Sequence, residues 1–93
     1  MALTQEAAQS LVDAIVSRHL VEITYVDKKG DMTTRTVEPY ELKETDKGFY
    51  FYGWDVSKDA IRSFKMERFE NIQVLDSLIP SPRFPAKVNG QEY

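Results

Sequence analysis

Ninety-three residues with a formal net charge of -3 make room for one domain with one modest core, because a chain of this size buries roughly two-thirds of the surface it exposes when unfolded. The acidic balance argues against coating nucleic acid by bulk electrostatics, so any such binding must be local. With no cysteine and His19 as the single histidine, a disulfide framework, a metal site and a cofactor are all unexpected.

The first twenty residues carry Glu6 and Asp13 and lack a basic start followed by a long apolar run. They read as neither a secretion signal nor a membrane anchor, and a cytoplasmic location is expected. Thr4 can cap a helix over about residues 4–19, in which Ala7, Leu11, Ala14 and Ile15 recur at helical spacing, with Glu6 at the positive end of the dipole and Arg18 at the negative end. The apolar stripe is narrow, so the helix should lie against a sheet. His19 sits near the helix end, where a cap or surface role is expected.

Beyond His19 the period becomes two. Val21, Ile23 and Tyr25 alternate with Glu22 and Thr24, and Asp27 to Asp31 supplies a turn before a return strand from Met32 to Val37. Pro39 cannot donate to a ladder, so it should end that strand or place it at an edge. Leu42 to Thr45 and Gly48 to Trp54 pair around a polar turn, and Ile61 to Lys65 and Ile72 to Leu75 supply the last two strands. Met66 to Phe69 between them has the length of a single 3₁₀ turn. The expected fold is mainly β: an N-terminal helix and then a small five- to six-stranded antiparallel barrel, because short strands escape exposed edges only by closing or covering the sheet. Its core should hold Phe49, Phe51, Phe64, Ile23, Leu42 and Leu75. Residues 1–78 form this domain, and 79–93 form a tail with Pro80, Pro82 and Pro85, expected to be extended or irregular. Ile79 and Phe84 should fasten the tail, leaving Asn89 to Tyr93 mobile.

Along Phe49 to Trp54, strand parity sends Phe49 and Phe51 to the core and leaves Tyr50, Tyr52 and Trp54 on the other face. That second face is either covered by a strongly curved sheet or serves as a stacking platform for a flat ligand. Arg62 shares parity with Phe64, so it must lie at the barrel mouth or be paired inside, with Asp55, Glu38 or Asp59 as partner. The alternative is a bidentate grip on phosphate or carboxylate, joined by Arg35, Lys65 and Arg68.

The run Gly48 to Phe69, GFYFYGWDVSKDAIRSFKMERF, contains the strand Phe49-Tyr50-Phe51, the turn Gly53-Trp54-Asp55 and the segment Arg62-Ser63-Phe64-Lys65-Met66-Glu67-Arg68-Phe69. Upstream stands Arg35-Thr36-Val37-Glu38-Pro39-Tyr40-Glu41-Leu42. From about Val21 to Asp76 the chain thereby resembles the WYL domain family, although only Tyr50 matches the three-letter core literally. The resemblance implies an SH3-like or Sm-like barrel with an N-terminal helix. It further implies regulatory ligand binding through a basic, aromatic surface, with Arg62 and Arg68 matching the family's signature arginines. Such domains commonly follow a DNA-binding helix-turn-helix, which is not expected within these residues.

The expected ligand is anionic, a nucleotide or short single-stranded nucleic acid, with Tyr50 and Tyr52 stacking and Arg62, Lys65, Arg68 and Arg35 holding phosphates. The other reading is a protein-interaction or homo-oligomerisation scaffold without a small ligand, anchored by the same aromatics. Catalysis is not expected, since Ser57 and Ser63 have no base partner in sequence and the four glycines are too isolated to form a phosphate loop.

Overall fold

The structure, a computed structural model, describes residues 5–93, so the cap expected at Thr4 lies outside the described residues. Helix α1 (Gln5–Ser17) buries Leu11, Ala14 and Ile15 against β1, β2 and β5, the strands defined next. It stops where Arg18 adopts a left-handed φ of 64°. Then follow β1 (His19–Val26), β2 (Met32–Thr45), β3 (Gly48–Asp55), β4 (Ala60–Lys65), the 3₁₀ turn η1 (Met66–Arg68), β5 (Phe69–Leu78), β6 (Lys87–Val88) and β7 (Gln91–Glu92).

The main sheet runs β4-β3-β2-β1-β5, with every neighbouring pair antiparallel. Its curl follows from one contact. Tyr25 on β1 and Phe64 on β4 are three strand spacings apart in that order, about 14 Å in a flat sheet, yet their rings meet edge to face at 5.2 Å. The sheet therefore rolls around its aromatic core, in which Phe64 also meets Phe51 at 5.7 Å and Phe69 at 6.3 Å. Among the described residues no ladder joins the end strands β4 and β5; η1 connects them and buries Met66. The mainly β fold with one N-terminal helix is as expected.

Four details correct or refine the expectation. Phe49 is 36% exposed: its parity matches Phe51, but it pairs with Glu44 next to the turn, where the hairpin projects beyond the core. Leu75 is half-buried and outside the core cluster, because it falls where the β1–β5 register shifts between His19 and Val21. Pro39 does not end its strand but lies where β2 is open on one side, since the β1 ladder stops at Val37 and β6 begins only at Glu41. It pairs with Gly53, and the register shift before Glu41 makes Tyr40 the extra residue of a bulge, a position that tolerates the missing donor.

The tail is the fourth. Beyond Val37, β2 no longer pairs with β1, and β6 takes that open side in parallel, with Glu41 opposite Lys87 and Leu42 opposite Val88. Ile79 and Ala86 are buried, whereas Phe84 stays 42% exposed with its ring edge-on to Tyr40 at 5.2 Å. The last residues are hydrogen-bonded, Asn89 N–H to the Leu42 carbonyl at 2.8 Å and Tyr93 N–H to the Ala86 carbonyl at 2.9 Å.

Candidate anion-binding site

The β3–β4 hairpin sorts the candidate residues by face. Phe51 pairs with Phe64 and Gly53 with Arg62 on the inner side, while Tyr50 pairs with Lys65, Tyr52 with Ser63 and Trp54 with Ile61 on the outer side. Gly53 is required by contact: an added Cβ would overlap the Val37 side chain and lie 2.7 Å from the Glu38 carbonyl oxygen.

Inside the sheet, Asp55 is fully buried and is the hub that Arg62 needs. Its Oδ2 lies 3.0 Å from Arg35 Nη1 and 3.8 Å from Arg62 Nη1. Its Oδ1 accepts from the Ser57 hydroxyl at 2.8 Å and the Ser57 N–H at 3.1 Å. Burial pushes the Asp55 carboxyl up, but the Ser57 hydroxyl, the Arg35 charge and the Lys58 and Ser57 N–H groups outweigh it and hold the group below its ordinary range. Arg62 is thus fixed at the mouth, its guanidinium 5.9 Å from the Phe64 ring centre.

A cleft of about 400 Å³ opens beside it, lined by Arg62, Lys65, Arg68, Tyr50, Tyr25 and Lys28, with Asp27, Ser63 and Phe64 completing the wall. Four of the six sequence candidates, Tyr50, Arg62, Lys65 and Arg68, meet here. Lys65 Nζ lies 2.9 Å from Glu67, and that hydrogen bond with its charge raises the Lys65 pKa. Arg68 makes no ion pair among the described residues, so its charge is available to a ligand. Arg35 does not line the cleft; it stands behind, bound to Asp55. Tyr52 lies in a neighbouring hollow of about 270 Å³ with Tyr40, Glu41, Ile61, Phe84, Pro85 and Lys87. Tyr25 and Lys28 were missed as lining residues, although the alternation that placed Tyr25 on a strand would have pointed it to the core face beside Phe64.

Further along the outer face, Trp54 is covered by Arg83, whose guanidinium lies 4.1 Å from the ring centre. Arg83 Nε is 3.4 Å from Glu38. The Tyr40 hydroxyl donates to the same Glu38 oxygen at 2.6 Å and accepts from the Arg83 N–H at 2.9 Å. Burial, reinforced by the bond to Glu38, pushes the Tyr40 pKa up to about 12. The bulge at Tyr40 is what aims this hydroxyl at the tail.

Among the described residues no cluster of three or more His, Asp or Glu side chains could hold a metal ion. No helix among them is long and apolar enough to cross a membrane.

Residues 6–74 match the family model described as the WYL domain. Among solved structures, the chain is similar to proteasome accessory factor B/C (PafBC) of Arthrobacter aurescens, with 25% sequence identity and a TM-score of 0.72. The match covers 94% of this chain and 15% of that one, so the chain corresponds to a small part of the solved protein's length.

Proposed function

This chain belongs to the WYL domain family, and we propose that it is a cytoplasmic, ligand-sensing regulatory module whose cleft takes an anionic ligand, a nucleotide or short single-stranded nucleic acid. One observation carries the ligand class: the cations Arg62, Lys65 and Arg68 line a single cleft together with Tyr50. Arginine forks suit phosphate oxygens, and an aromatic face accepts any base. The side chains are suited to holding an anion, and the reading is of a binding module, not an enzyme. The Lys65–Glu67 pair is exposed and local, of the kind worth little in water, so a phosphate can replace it.

If three phosphates of a single strand are held, log affinity falls against log salt with a slope of about -2, and raising salt from about 50 to 200 mM weakens binding roughly fifteenfold. Replacing Arg62 and Arg68 by alanine flattens that slope. Tyr50→Ala instead costs about 1 to 3 kcal/mol of affinity at nearly constant slope. Fluorescence anisotropy with labelled oligonucleotides and calorimetry with mononucleotides measure both. Absence of binding to the folded protein at concentrations up to about 1 mM would overturn the ligand reading and favour an interaction scaffold.

A further inference from the structure

Of the two asparagines in the chain, Asn71 is followed by the β-branched Ile72 and Asn89 by Gly90. A glycine neighbour leaves the next peptide nitrogen unhindered, which makes Asn89 the thermolabile one. Asn89 and Gly90 are the exposed central residues of the β6–β7 hairpin. Their φ values of 50° and 85° are those of a type I′ turn, which takes two left-handed residues. Nothing lies within 4 Å of where a Gly90 Cβ would stand, so that side of the turn is open.

The same asparagine clips the tail to the sheet. β6 meets β2 at two residue pairs, Glu41 with Lys87 and Leu42 with Val88. Asn89 extends that hold, because its N–H donates to the Leu42 carbonyl at 2.8 Å and its Oδ1 accepts the Glu44 N–H at 2.7 Å. While Oδ1 is tied to β2, the side chain cannot fold back onto its own following peptide bond. Glu41, Lys43 and Glu44 share a surface hollow with Asn89 and Gly90. A further carboxylate there would stand with two of its own sign against one lysine.

We propose that Asn89 is a site of spontaneous deamidation and that its conversion unfastens β6, giving the module a one-way, age-dependent release of its tail. The reaction needs only hydroxide and water. The Gly90 nitrogen gives up its proton and bonds to Asn89 Cγ; the Cγ–Nδ2 bond breaks, and ammonia leaves a cyclic imide. Water then opens the ring at either carbonyl, giving aspartate or isoaspartate. Isoaspartate routes the main chain through the side-chain carbon and adds a methylene to a loop whose geometry is set by its length. Aspartate keeps the loop but places its charge beside Glu41 and Glu44. Since Asn89 must leave the Glu44 N–H before it reacts, conversion proceeds through brief openings of the docked hairpin.

The full chain is held at mildly alkaline pH, either folded or unfolded in urea, and both samples are followed by peptide mapping with isoaspartyl methyltransferase labelling. Asn89 should convert in both, about tenfold or more slowly in the folded chain, and Asn71 should lag behind Asn89 in urea. Converted chains, separated from the parent by their added charge, should be cut by trypsin after Lys87 about tenfold faster, because cleavage follows the population of the open form. Equal rates in folded and unfolded chains would overturn the protection by Glu44. A folded chain that never converts would overturn the site, and converted chains that resist trypsin as the parent does would overturn the release.

Discussion

Replacing Asp55 by asparagine tests the buried hub from which the cleft is built. Asparagine keeps an oxygen for the Ser57 hydroxyl and N–H, but it removes the charge facing Arg35 at 3.0 Å and Arg62 at 3.8 Å. Removing one partner of a buried ion pair costs about 3 to 5 kcal/mol. Here the Arg62 side chain is 36% exposed and water can reach it, so the loss should sit lower, at about 2 to 3 kcal/mol. That is a large share of the roughly 5 to 14 kcal/mol available to a domain of this length. Urea unfolding at pH 7 should show a lower midpoint with unchanged slope. The pH dependence adds a second check. The folded Asp55 carboxyl is held below its unfolded value of about 3.9, so its contribution is complete above that pH and disappears as pH falls through the folded value. The gap between parent and Asp55→Asn should therefore narrow in acid. A loss under about 1 kcal/mol at pH 7, or a gap that does not change between about pH 4 and 2.5, would refute the hub.

Two further outcomes follow from the packing. Phe64→Ala removes a ring that meets Tyr25, Phe51 and Phe69 and should cost about 3 to 5 kcal/mol by urea unfolding, whereas a change below about 1 kcal/mol would contradict the inner-face register. The folded Tyr40 hydroxyl, raised to about 12 from an unfolded value near 10, should contribute fully below about pH 10 and lose that contribution as pH rises towards 12. Urea midpoints at about pH 9 and 11.5 should fall less for Tyr40→Phe than for the parent, and equal losses would show that Tyr40 is not the group responsible.

Local signals made most of the fold legible. Alternation in β1 and along Phe49 to Trp54 assigned inner and outer faces, and the spacing of β4 and β5 left room only for a short turn at η1. Parity failed where the strand was right but the sheet did not extend over it, at Phe49, and where register shifted, at Leu75. Pro39 does mark a stretch of β2 open on the β1 side, one of its two expected placements, but the strand runs on past it because the β3 ladder continues through a bulge, which depends on the partner strand and not on the proline itself. For the site, parity indicated that Arg62 needed a partner and offered three. Choosing Asp55 required the fold, which also brings Arg35 across from β2. Arg83 left no signal at all: its partners Glu38 and Trp54 are far away in sequence, and the prolines around it suggested only irregular chain.

The parallel pairing of β6 on β2 has a consequence for synthesis. Roughly forty residues separate the end of β2 from the start of β6, and at about 5 to 20 residues per second the ribosome needs about 2 to 8 s to supply them. During that interval β3, β4 and β5 are made and the sheet is assembled strand by strand, while the Glu41–Leu42 side of β2 still presents unpaired N–H and C=O groups to other nascent chains. The tail is then a late closure, and a polysome making this domain would carry many copies with the same open edge at once.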